Sequence, residues 1–117
     1  MPNLTCGIQM FYGCTALTSF CGDLSSLTNG IQMFNGCSAL TSFCGDLSSL
    51  TIGNDMFYNC KLDAESLECI AETLPTVTAD LTKGSITIGY NCPAADAQAA
   101  YDTITGKGWS CTMTYNA

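Results

Sequence analysis

The chain has 117 residues, enough for one compact domain rather than two. It is 47% hydrophobic and only 11% charged, a balance that favours an ordered core over disorder. A net charge of -7, with three lysines and neither arginine nor histidine, excludes a duplex nucleic-acid binder and argues against docking on anionic lipid.

No apolar run approaches the roughly 20 residues of a membrane span, so no membrane insertion is expected. No basic start followed by an apolar stretch marks a secretory signal. Leu4-Thr5 matches Leu27-Thr28, so Met1 to Cys6 reads as the tail of an incomplete block, and the chain is expected to be part of a longer array.

Two blocks then follow that are nearly the same. Gly7 to Asn29 and Gly30 to Ile52 differ at only 3 of 23 positions: Tyr12 against Asn35, Thr15 against Ser38, and Asn29 against Ile52. A third block opens at Gly53 (GNDMFYNC) and loses the pattern after Cys60. The period of 23 aligns Cys14, Cys37 and Cys60, and likewise Phe11, Phe34 and Phe57. A fixed period in this range is the mark of a coil that cannot bury its own apolar face and stacks on its neighbours to do so. Within a block the apolar residues Met33, Phe34, Cys37, Leu40, Phe43, Leu47 and Leu50 are too irregular for one amphipathic helix. The glycines at 7, 13, 22 and their copies are expected to serve the bends.

The stretch MFxGCxALTSFCGDLSSLTNG resembles the leucine-rich repeat of BspA-like bacterial surface proteins, and it is similar to the MFxxCxxL repeats of gut bacteria and mycoplasmas. The resemblance covers roughly residues 4 to 62. It departs from the family pattern at Gly22 and Gly45, where a branched apolar residue is usual. The resemblance implies an α/β leucine-rich-repeat solenoid, with one short parallel strand per block around Thr18–Cys21 and Thr41–Cys44. Alternation would send Phe20 and Phe43 inward and Ser19, Cys21, Ser42 and Cys44 outward.

After Cys60 the pattern changes, and residues 63–117 read as a non-repeating cap on the repeats of 1–62, within one domain. Asp63 suits a helix N-cap, with Glu65 in the first turn and Leu67, Ile70, Ala71 and Leu74 on one stripe before Pro75. Gly84 to Gly89 alternates as a strand, with Ile86 and Ile88 on one face. Pro93 to Thr105 is alanine-rich and helical, with Gly106 as its C-cap. Trp109 to Tyr115 alternates again, placing Trp109, Cys111, Met113 and Tyr115 inward. The Gly106-Lys-Gly-Trp109 step resembles the ends of other BspA-like chains. These helix, strand, helix, strand elements are expected to extend the parallel sheet of the repeats and to cover the last rung.

Nine cysteines is an odd number, so at least one thiol is free or intermolecular. Stacked side chains at Cys14, Cys37 and Cys60 run parallel and cannot adopt the dihedral of about 90° that a disulfide needs. They read as small apolar fillers in a column. With no histidine and no CxxC pair, no metal site and no cofactor are expected. Without histidine or arginine a serine or cysteine nucleophile lacks its usual activator, so no catalytic residue is assigned and the protein is read as not an enzyme. Asp23 and Asp46 are expected to bond to local N–H groups at the bends.

The expected function is a non-catalytic interaction module of a bacterial surface protein, adhering to an unknown protein or glycan. Its candidate binding face comprises Ser19, Cys21, Ser42, Cys44, Thr87 and Thr112. The alternative is a structural spacer or tail-end domain of a larger surface or phage fibre protein. The family resemblance implies a cell-surface or secreted location. Met10, Phe11, Leu17 and Phe20 are expected on an uncovered first rung, through which the chain would form a homodimer.

Overall fold

A computed structural model describes residues 4–76 and 84–116. The elements in chain order are β1 (Ser19–Gly22), β2 (Ser42–Gly45), β3 (Gly53–Leu62), α1 (Ala64–Thr73), β4 (Ser85–Tyr90), α2 (Ala94–Gly106) and β5 (Ser110–Tyr115). The class is therefore α/β with parallel strands. The tail assigned to Met1–Cys6 lies within the described residues only from Leu4.

The repeat acts through backbone hydrogen bonds that join a residue to the next block. Gly7, Gln9, Phe11 and Gly13 donate their N–H groups to the carbonyls of Asn29, Ile31, Met33 and Asn35 at 2.8–3.0 Å. One block later, Gly30, Gln32, Phe34 and Gly36 donate to Ile52, Asn54, Met56 and Tyr58 at 2.8–3.0 Å. The carbonyls of Gly7, Gln9 and Phe11 are used inside their own block, by the N–H groups of Met10, Tyr12 and Cys14. Every N–H between blocks in this strip thus points one way along the stack. Such a geometry needs left-handed residues at regular places, and they recur at Gln9, Gln32 and Asp55 (φ 55–56°) and at Gly13, Gly36 and Asn59 (φ 64–82°).

The bends therefore fall at Gly13 and Gly36 but not at every glycine of the block. Gly7 and Gly30 serve a close approach instead: a Cβ on Gly30 would meet the Met56 sulfur at 2.9 Å. Gly22 and Gly45 lie in strands, where the space of the expected branched side chain is taken by the rings of Phe20 and Phe43.

Two sheets result. In one, β1 pairs with β2 in the register Ser19↔Ser42, Phe20↔Phe43, Cys21↔Cys44. In the other, the order is β3-β4-β5, parallel throughout. The expectation that the two C-terminal strands extend the sheet of 18–21 and 41–44 is corrected. They extend β3, the continuation of the strip that begins each block, because helix α1 occupies the place beside β2.

Between the two sheets lies a ladder of phenylalanines. Phe11, Phe34 and Phe57 stack with centroids 5.2 and 5.4 Å apart, and Phe43 meets both Phe34 and Phe57 edge-on. Phe34, Phe43 and Phe57 are fully buried, as are Leu24, Leu27, Leu47 and Leu50. Cys37 and Cys60 fill the column expected of them, each thiol donating to a carbonyl of the preceding block, Phe11 and Phe34. Cys14, first in that column, is exposed. All nine cysteines are free thiols.

Helix α1 begins at Asp63, whose carboxylate accepts the Ser66 N–H at 2.9 Å. It buries Leu67, Ile70 and Ala71, and α2 buries Ala97, Ala100 and Ile104. Helix α1 has no basic residue in its last turn. Lys107 supplies one from beyond α2, its ammonium donating to the carbonyls of Ala71, Glu72 and Leu74 at 2.7–3.0 Å. Gly106 ends inside α2 rather than capping it; the left-handed residue is Gly108 (φ 91°). Trp109 is buried and donates to the Pro75 carbonyl at 2.8 Å, but it precedes β5. Tyr115, expected inward, is exposed, because β5 is an edge strand.

Candidate binding face

The residues read from the sequence as one face form two. Ser19, Cys21, Ser42 and Cys44 are all exposed, on alternate positions of β1 and β2. Thr87 and Thr112 are neighbours in register on β4 and β5, in the other sheet. Thr87 is half-buried and Thr112 exposed. The two patches belong to different strips of the block, which is why a single outward face does not form.

The β1-β2 patch opens into a shallow groove of about 630 Å³. Cys21, Cys44 and Cys69 line it, together with Asp23, Asp46 and Thr73. Cys21 and Cys44 arrive through strand register. Cys69 arrives from α1, where its thiol points to the Gly45 carbonyl at 3.6 Å. Cys69 was not legible as part of the face, since it lies 25 residues beyond Cys44 and breaks the 23-residue offset. Its signal is the helical stripe: Ser66, Cys69 and Thr73 share the side of α1 that meets β2.

Two of the three thiols ionise less readily than an ordinary cysteine. Cys21 is pushed up from its ordinary value by its hydrogen bond with the Cys44 thiol and by that neighbour's charge. Cys69 is pushed up by burial first. Thiolates are the nucleophilic and metal-binding form, so the upward shifts at Cys21 and Cys69 work against both uses of these two side chains. Among the described residues no group of three or more cysteine, aspartate or glutamate side chains is placed to hold a metal ion.

The carboxylates are engaged locally. Asp23 accepts the Ser25 N–H and Asp46 the Ser48 N–H, both at 2.9 Å. The Ser25 hydroxyl and amide hold Asp23 below its ordinary range. This is the turn role expected of the pair, and it shapes the bend that follows each strand.

No described helix is long and apolar enough to cross a membrane. No protein-family model, no curated protein and no solved structure matches the chain.

Proposed function

We propose that this chain is a non-catalytic interaction module, the end of a leucine-rich-repeat solenoid of BspA-like type, adhering to a protein or glycan at a bacterial surface. The observation that carries the reading is an offset of 22 or 23 residues that recurs from block to block. The strip hydrogen bonds, the β1-β2 register and the threonine bonds from Thr28 to Thr5 and Thr51 to Thr28 all join residues one block apart. Successive blocks thereby repeat the same outward positions, which suits an extended contact surface. The raised thiols of Cys21 and Cys69 and the turn-bound carboxylates of Asp23 and Asp46 favour binding over catalysis.

The test is binding of the full chain to arrays of glycans and of secreted proteins, repeated with Ser19→Arg/Ser42→Arg. Both positions are exposed, so the variant should fold. The reading expects a ligand whose binding falls at least tenfold in the variant. A second reading, a structural spacer of a larger surface or fibre protein, is favoured by the small side chains of the β1-β2 face, which offers no aromatic anchor. Absence of any ligand, or a ligand indifferent to the variant, supports the spacer.

A further inference from the structure

The groove of the β1-β2 face brings three thiols together. Cys21 and Cys44 sit side by side through strand register, and the Cys44 thiol is hydrogen-bonded to both Cys21 and Cys69. Cys44 is exposed and Cys69 is half-buried. Helix α1 seats Cys69 in this place. One turn earlier the Ser66 hydroxyl bonds to the Phe43 N–H at 2.8 Å and to the Thr41 carbonyl at 3.2 Å, and the Cys69 thiol then donates to the Gly45 carbonyl.

The two neighbouring pairs differ in whether they can join. Cys21 and Cys44 leave parallel strands in register, so their Cα–Cβ bonds point the same way, which opposes the dihedral of about 90° that a disulfide needs. Cys69 comes from a helix beside β2, so its Cα–Cβ direction is not tied to the pleat of the strands. The Cys44–Cys69 pair escapes the restriction. The present partner of Cys69 also survives its departure, because the Gly45 carbonyl accepts from the Thr73 hydroxyl as well, at 3.5 Å.

We propose that Cys44 and Cys69 are a redox-active pair, a site of thiol–disulfide exchange with a small uncharged or cationic disulfide. Cys44, the exposed thiol, gives up its proton and attacks one sulfur of the reagent. The reagent's S–S bond breaks, and its other half leaves as a thiolate that takes up the proton. Cys69 then gives up its proton and attacks the Cys44 sulfur of the mixed disulfide, and the second half of the reagent leaves and is protonated in turn. The Cys44–Cys69 bond is formed, the two cysteines are oxidised, and the reagent is reduced to two thiols. Burial keeps Cys69 out of the first step; in the second its target is already beside it, so a small thiolate fraction suffices. Asp23 and Asp46 line the same groove in a chain of net charge -7, which disfavours an anionic reagent. The new bond ties α1 to β2 across 25 residues of sequence, from 44 to 69, and so stabilises the fold. This inference rests on the thiols alone and needs no ligand for the β1-β2 face.

Cystamine, a cationic disulfide, added in slight excess to the full reduced chain tests it, with the products mapped as peptides under non-reducing conditions. The peptides of Cys44 and Cys69 should be recovered joined, and the bridged protein should unfold at higher urea than the reduced one. Cys69→Ser keeps a side chain of similar shape and should stop at a cysteamine cap on Cys44; unchanged circular dichroism shows that it folds. That cap should last at least roughly tenfold longer in the variant than in the wild type. Cys21→Ser should leave the bridge intact. A bridge from Cys44 to Cys21 overturns the proposal, as does a Cys44 that stays unmodified. A cap on Cys44 that lasts as long in the wild type as in Cys69→Ser overturns it too.

Discussion

The Ser66 hydroxyl accepts the backbone N–H of Phe43 at 2.8 Å, and Ser66 lies 23 residues after Phe43. It thus stands where a third strand would place a backbone carbonyl. The same hydroxyl lies 2.7 Å from the Asp63 carboxylate that caps α1, so one side chain ties the helix start to the strand edge. An edge strand that could recruit another chain is closed by a helix. Ser66→Ala leaves the buried Phe43 N–H without a partner and should cost about 1–3 kcal/mol. Urea unfolding followed by circular dichroism measures this; an unchanged midpoint would mean water satisfies the amide.

The phenylalanine ladder should show its depth in stability. Phe34 lies against Phe11, Phe20, Phe43 and Phe57 with ring centroids 5.2–5.6 Å away. Phe34→Ala should cost about 3–5 kcal/mol, as buried phenylalanine truncations do. Phe11 holds the equivalent place in the first block but is only half-buried. Phe11→Ala should cost distinctly less in the same denaturation experiment. Equal losses would show that the first block is covered in solution.

Much of this was legible in the sequence and some was not. The 23-residue offset located the stacked aromatics, because identical blocks must repeat identical contacts, and the family resemblance implied both short strands to within a residue. The cap elements were legible from Asp63, Pro75 and the alternation around Ile86 and Ile88. Their sheet was not. Membership depends on which strip of the block α1 covers, and that is set by Ser66 and Cys69 meeting β2, a tertiary fact with no period. Thr87 and Thr112 were assigned to the wrong face for this reason. The left-handed Gln9 and Gln32 were also hidden, since glutamine carries no turn signal. Block-to-block bonding, including the Gln9 amide to the Gln32 carbonyl oxygen at 2.6 Å, holds them there.

Lys107 should act as a remote cap. Its three bonds to the end of α1 span 33 to 36 residues of sequence. Lys107→Met keeps the aliphatic stem and removes the charge, and should cost about 1–2 kcal/mol. Amide exchange in the last turn of α1 should speed up at the same time. A thermal midpoint equal to wild type would show that solvent caps the helix as well.

Alkaline pH should destabilise the fold before its backbone chemistry is affected. Burial pushes Cys60 up to about 12 and Cys111 to about 11, against an ordinary value of 9.0. Below pH 9 both thiols are neutral whether folded or unfolded. Above it the unfolded chain ionises first, so stability falls from about pH 9 towards the folded values. Urea midpoints at increasing pH should decline over that window, and Cys60→Ala should flatten the decline. A flat profile in the wild type would mean that the two thiols reach water.

Amide hydrogen exchange, resolved residue by residue by NMR, tests the stacking of the blocks most directly. The N–H groups of Gln9, Phe11 and Gly13 cross to the second block and those of Gln32, Phe34 and Gly36 to the third, while those of Gly7 and Gly30 reach Asn29 and Ile52 at the block ends. All eight should exchange slowly, with Phe34 slowest among them because it is fully buried. If Gln9, Gln32, Phe11 and Phe34 instead exchange at the rate of an unstructured chain, the blocks do not stack in this register and the account is wrong.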